Sequence, residues 1–289
     1  MRCFEEFNKY LLEIGRSPHT AKSYREAVEG FARFLEETTG EPFDPRKILL
    51  VDVKAYKGYL LSVLKRSPKT VNQRLAALRA FFEFLVGKGV LKKNPAEGVP
   101  DVKIQKTTAP RSLTKNELYR LRRKVHAGGN KRDIAIFELL ANTGVRVGEL
   151  CALELDDVEI SERKGSITVR QGKGGKFRTV PLNKDARSAL RDYLEARPAS
   201  ASRKVFLGER GPLTPSGVFR ILKKYALQAG LPDVSPHTLR HTFAKRLLDA
   251  GEDFVEVARL LGHANINTTA VYTQPTEEDM QRAVEKLSL

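Results

Sequence analysis

Two short stretches of the chain carry side chains suited to holding an anion. In Ser235-Pro236-His237-Thr238-Leu239-Arg240-His241-Thr242, serine followed by proline marks a helix start, so His237 and Arg240 share one face near its N-terminus. Backbone N–H groups at that end, a guanidinium with paired donors and an imidazole able to give or take a proton would together suit a phosphate. In Thr143-Gly144-Val145-Arg146-Val147-Gly148-Glu149-Leu150 an arginine follows a glycine break where a helix can begin, and Glu149 lies three residues on, placed to orient a basic neighbour. Leu260-Leu261-Gly262-His263 ends an apolar helix on a histidine, and Tyr272 follows nine residues later in Thr268-Thr269-Ala270-Val271-Tyr272-Thr273. Lys173 and Lys176 occupy the turn Gly172-Lys173-Gly174-Gly175-Lys176. Taken singly, each has a plainer reading: an exposed helix, a surface ion pair, a helix cap, a half-buried tyrosine, a solvated turn lysine.

The elements that must position these residues fall into two groups. Phe4, Phe7, Leu11 and Ile14 recur at helical spacing before Gly15, which suits a C-cap. A partial repeat follows at an offset of fifty: Ser17-Pro18-His19-Thr20 with Phe31, Phe34 and Leu35 matches Ser67-Pro68-Lys69-Thr70 with Phe81, Phe84 and Leu85. Gly40 and Gly87 are expected to close these two helices, with another over Val51 to Lys65 between them. The resulting all-α bundle, residues 1–88, offers Lys22, Arg25, Lys69, Arg74 and Arg79 to an outer face, where they are either DNA contacts or simply solvated. Residues 89–111 lapse into Lys, Pro, Gly and Thr and read as a linker. From 112 the chain is expected to be mainly α with a small β-sheet, an α+β domain. Thr114 to Glu117 forms a capping box, Asp133 to Asn142 a helix stopped by Gly144, and Ile167, Val169, Val180 and Leu182 flank the glycine-rich turn as a hairpin. Breaks are expected at Gly208 to Pro212, Gly230 to Pro236 and Gly262 to Asn267.

Composition narrows the function. The 289 residues suffice for two cores, and 51 Lys and Arg against 35 Asp and Glu give a formal charge of +16, a field that draws polyanions. Nucleic acid is the expected partner, although charge alone also fits a basic but inert surface. No apolar run approaches the roughly 20 residues that span a bilayer, so no membrane association is expected. The start Met1-Arg2-Cys3-Phe4-Glu5-Glu6 lacks the apolar core of a secretory signal, which favours the cytoplasm. Cys3 and Cys151 are too few for a disulfide framework and lack the company of a metal site, so both are expected to be reduced thiols of no special role.

Jointly, the reactive segments and their spacing resemble the tyrosine recombinase (phage integrase) family, over most of the chain. The resemblance implies a helical, SAM-like core-binding domain, a linker, and a catalytic domain with every active-site position present. Arg146 matches the first arginine, Lys173 the hairpin lysine, His237 and Arg240 the H-x-x-R pair, His263 the L-G-H histidine and Tyr272 the nucleophile, with Glu149 the acid accompanying the first arginine. His241 fits the common L-R-H-T-F sequence and is assigned to packing or support. The implied chemistry is attack of Tyr272 on a backbone phosphate to give a 3′-phosphotyrosyl link and a free 5′ hydroxyl. Arg146, Arg240 and His263 would stabilise the transition state, His237 would act as base, and Lys173, with Lys176 its nearby rival, as general acid. No cofactor and no metal are implied, and no G-x-x-x-x-G-K-[ST] loop or acidic cluster argues otherwise.

The resemblance further implies double-stranded DNA with a specific site and a homotetramer on two synapsed duplexes. Thr276 to Leu289, with Met280, Ala283, Val284 and Leu287 in an apolar stripe, would be an oligomerisation helix that docks on a neighbouring subunit or packs at home. The layout, without an added N-terminal arm-binding domain, looks like the Xer group, which resolves chromosome dimers. Integrases and transposases of mobile elements share it. A strand-passing topoisomerase and a non-catalytic DNA-binding accessory protein are the other readings.

Overall fold

In a computed structural model of the protein, which describes residues 2–104, 111–170 and 177–262, Ser17 and Ser67 open the two long helices of the repeat. Each hydroxyl accepts a hydrogen bond from the backbone N–H three residues on, Thr20 at 3.1 Å and Thr70 at 3.3 Å, and a proline occupies the first turn. These are α2 (Pro18–Thr39) and α4 (Pro68–Gly87), accompanied by α1 (Arg2–Glu13) and α3 (Leu50–Ser62). Equivalent positions of the repeat touch: Gln73 Nε2 donates to Ser23 Oγ at 2.9 Å across an offset of 50 residues. The core between the helices is aromatic, with Phe31 edge-on to Tyr56 at 5.2 Å and Phe7 edge-on to Phe81 at 5.3 Å.

Four local expectations need correction. Ile14 leaves the apolar stripe and is 50% exposed, because α1 ends at Glu13 and the chain turns away. Gly87 stays helical, and the left-handed residue is Gly89 (φ 71), which lets the Val90 N–H reach back to Leu85 O at 3.0 Å. The third helix ends at Ser62 rather than Lys65, closed by the Leu64 N–H on Tyr59 O at 3.0 Å. Finally, residues 91–102 of the expected linker are packed. Ala96 and Val99 are buried, and the Asn72 amide donates to Val102 O (2.9 Å) and accepts from Val102 N (2.8 Å), as a neighbouring strand would. Proline and glycine there mark irregular backbone, several of whose polar groups are bonded locally or to helix side chains, as Ala96 N is to Asn94 Oδ1 at 3.0 Å and Val99 O to Arg79 at 2.7 Å. The chain divides into two compact units at 107/108.

The second unit is mainly α with a small antiparallel sheet. Thr114 caps α5 (Lys115–Ala127) with Glu117 closing the expected box, and α6 (Lys131–Thr143) ends at Gly144. After α7 (Val147–Ala152) come β1 (Val158–Ile160), β2 (Gly165–Arg170) and β3 (Phe177–Pro181), ordered β1-β2-β3, then α8 (Lys184–Ala196). Leu207–Gly208 and Gly211–Pro212 pair as the short β4 and β5 around one expected break, followed by α9 (Pro215–Gln228), α10 (Pro236–Asp249) and α11 (Phe254–Leu261). Helix α6 is buried on nearly every side, packed by α5, α8 and α10. Its buried acids are paired: Asp133 with Arg132 and the Tyr225 hydroxyl, Glu138 with Arg122, His126 and Asn142.

Candidate active site

The last carbonyls of a helix have no partners within it and carry partial negative charge, so they attract cations. At the end of α11 that role falls to arginines distant in sequence. Gly144 leaves α6 in the left-handed conformation (φ 62) and the chain turns at once into α7, which makes Arg146 the N-cap and Glu149 the third helical residue. Glu149 Oε2 accepts the Arg146 backbone N–H at 2.8 Å and Oε1 accepts Arg146 Nη1 at 2.9 Å, the orienting contact expected of this pair. Arg146 Nη2 donates to Gly262 O at 3.4 Å, and its side chain is 45% exposed.

Helix α10 supplies the opposite wall. Ser235 Oγ accepts the Thr238 N–H at 3.2 Å, and with Pro236 in the first turn this places His237, exposed between buried neighbours, in that turn and Arg240 one turn on. Arg240 is only 2% exposed; its Nη1 donates to Gly144 O at 2.5 Å and Nη2 to Leu261 O at 2.7 Å. His241 is buried and packs its ring edge-on against His237, with centroids 4.0 Å apart. Arg146 and Arg240 thus donate to adjacent carbonyls, Gly262 O and Leu261 O. Two guanidiniums converging there form a concentrated positive site able to take a phosphodiester.

A third arginine, missed in the sequence, completes the arrangement. Arg178 on β3 donates Nη1 and Nη2 to the two oxygens of Glu149 at 3.0 and 2.7 Å, and Nε to Leu260 O at 3.1 Å. The available signal is strand alternation: Arg178 stands on the same face as buried Val180, opposite buried Val169, where an apolar residue is expected.

Burial pushes the Glu149 carboxyl up, but the hydrogen bonds from Arg178 and the Arg146 N–H, with both guanidinium charges, outweigh it and hold the carboxyl below the usual range. A lowered carboxylate stabilises the fold above its unfolded pKa, near 4.3, and that stabilisation is lost as pH falls through the lower folded value. Glu149→Gln is therefore expected to cost roughly 1–3 kcal/mol at neutral pH. Urea unfolding from pH 7 down to pH 3 is expected to show the gap to wild type closing only below about pH 4. A gap that is constant over that range counts against the ionic role. Cys151, on α7, has its thiol pushed up to about 11 by burial and is protonated at neutral pH.

Lys173, His263, Tyr272 and Thr276 to Leu289 lie outside the described residues, as does Lys176. The five basic residues of the first unit divide. Lys22 and Arg25 pair within α2 with Glu26 (3.9 Å) and Glu29 (3.5 Å), and Lys69 is exposed in the first turn of α4. Arg74 and Arg79 are half-buried and already engaged within the unit: Arg74 donates to the Tyr56 hydroxyl at 2.8 Å, and Arg79 to Val99 O and to the exposed Asp101, both at 2.7 Å. Among the described residues, no three His, Cys, Asp or Glu side chains gather as a metal site requires, and no helix is long and apolar enough to cross a membrane.

The phage integrase family model matches residues 111–279, and the N-terminal SAM-like domain of phage integrases matches residues 4–89. Among curated relatives, the tyrosine recombinase XerC of Thermodesulfovibrio yellowstonii is 38% identical over 282 residues, covering 92% of this chain and 89% of that protein. The crystal structure of XerA recombinase superposes with a TM-score of 0.57 at 30% identity, covering 99% of this chain and 97% of that one. The XerH site-specific recombinase bound to its difH substrate superposes with a TM-score of 0.70 over 91% of this chain and 78% of that one, a likeness of fold at 23% identity. The chain therefore belongs to the phage integrase family, and within it is a Xer-like tyrosine recombinase.

Proposed function

We propose that the protein cuts and rejoins double-stranded DNA at a specific site, with Tyr272 as the nucleophile. The observation that carries this is the convergence of Arg146 and Arg240 on consecutive carbonyls at the end of α11, directly before His263 in the chain. In this reading the two guanidiniums take the nonbridging oxygens of the scissile phosphate and stabilise the added charge of the pentavalent transition state, joined by a hydrogen bond from His263. The Tyr272 oxygen bonds to phosphorus, its proton passing to His237, while the bond to the 5′ oxygen breaks and Lys173 protonates the departing oxygen. The link conserves the bond energy, so a 5′ hydroxyl of another strand can reverse the step without ATP. Residues 112–289 would hold this chemistry, with residues 1–88, including Lys22, Arg25 and Lys69, gripping the duplex through phosphate contacts that weaken with salt.

The biological role that fits best is chromosome dimer resolution in the cytoplasm by a tetramer on two duplexes, with residues 276–289 docking between subunits. The likeness to XerC and XerA favours it over a mobile-element integrase. Both chemistry and role are tested by incubating the protein with sheared DNA of its source genome, denaturing, and sequencing the DNA that remains attached. Mass spectrometry of the digested adduct is expected to find the nucleotide on the peptide containing Tyr272, and the sequences to define one site near the replication terminus. Attachment at element ends overturns the role, and the absence of any attached DNA overturns the enzyme reading.

A further inference from the structure

Arg178 joins three segments that the chain otherwise leaves apart. From the edge strand β3 it forks onto both oxygens of Glu149 at the start of α7 and reaches the Leu260 carbonyl in the last turn of α11. Glu149 in turn receives the backbone N–H and Nη1 of Arg146, so its two oxygens take four donors, two from each arginine. Both side chains of the Arg178–Glu149 pair are only 12% exposed, where water competes weakly and a two-point fork fixes orientation as well as distance. Arg146, by contrast, is 45% exposed, and the fork from Arg178 ties the carboxylate it leans on to β3.

We propose that Arg178 is a positioning residue of the strand-cleavage reaction, holding Glu149 and the end of α11 so that Arg146 is aimed at the scissile phosphate. The inference rests on the catalytic reading of Arg146 above. Its consequence is that Arg178 acts through Arg146, so losing it slows cleavage without weakening attachment to DNA. Small displacements of a positioned group cost about 10–100-fold in rate.

The test uses the full-length protein and a nicked duplex carrying the sequence recovered by covalent capture. Single-turnover cleavage by Arg178→Gln is expected to fall about 10–100-fold, with DNA affinity by gel shift within about twofold of wild type, and Arg178→Lys, which keeps the charge but loses the fork, to recover part of the rate. The decisive measurement is a double-mutant cycle, because groups acting as a unit are not additive. In an Arg146→Lys background, Arg178→Gln is expected to add less than about a threefold loss. If Arg178→Gln does not fold, Arg178→Lys takes its place in the cycle. A folded Arg178 variant that cleaves at the wild-type rate overturns the proposal, as do losses that multiply in the double variant. Wild-type protein that forms no adduct on any duplex removes the recombinase reading and this one with it.

Discussion

Replacing Arg240 with alanine is expected to slow DNA cleavage by at least ~10²–10³-fold and to lower the stability of the second unit by about 2–4 kcal/mol. Both effects have one origin. The guanidinium is 2% exposed and binds Gly144 O and Leu261 O, so its removal leaves two carbonyls of buried residues without that donor, at roughly 1–3 kcal/mol each before relaxation. The same group carries half of the clamp proposed for the phosphate. Arg240→Lys separates the two roles: an ammonium can reach one carbonyl and restore part of the stability, but it lacks the planar fork that meets two oxygens at once. Denaturant unfolding alongside single-turnover cleavage of the captured duplex is expected to show the lysine variant recovering stability more than rate. Cleavage by Arg240→Lys at the wild-type rate would rule out a bidentate clamp.

The second large effect is expected at Gly144, a residue with no reactive atoms. Its φ of 62 already disfavours any side chain, by roughly 1 kcal/mol. A β-carbon there would meet Leu261 Cδ2 at 2.8 Å and drive into the Phe243 ring. Those two residues belong, with Ala244 and Val257, to the small core that seats α11 on α10. Leu261 belongs to α11 and Phe243 to α10, so relieving both contacts moves the two helices apart and with them the Leu261 and Gly262 carbonyls that Arg240 and Arg146 hold. Gly144→Ala is therefore expected to cost about 2–4 kcal/mol from backbone strain and overpacking together, and to cut cleavage about 100-fold. The contrasting substitution is Gly148→Ala, within α7 at a point where a β-carbon meets nothing within 4 Å and alanine favours the helix. Its melting temperature should hold or rise. Equal destabilisation by the two changes would show that close packing at Gly144 is not the cause.

Much of the site is legible in the sequence because its key pairs are local. His237 and Arg240 share a face by helical periodicity once Ser235 and Pro236 start the helix, and Glu149 reaches Arg146 because three positions within one turn are neighbours. Arg178 escaped notice for the opposite reason: its partners stand 29 and 82 positions away, and only packing selects an arginine for an inward strand position. The same contrast holds in the first unit, where the Ser-Pro starts were legible but the partners of Arg74 and Arg79 were not, since Tyr56 and Asp101 come from other segments.

The amino-acid sequence by itself determined which residue types stand in which register, where helices begin, that two units exist and that the surface favours a polyanion, because these depend on composition or on interactions spanning a few residues. Only the tertiary structure decided that Arg146, Arg178 and Arg240 meet at three consecutive carbonyls, Leu260, Leu261 and Gly262. Helix ends leave carbonyls unpaired whatever the sequence, and which distant side chains satisfy them is settled by how α6, α10, α11 and the sheet pack.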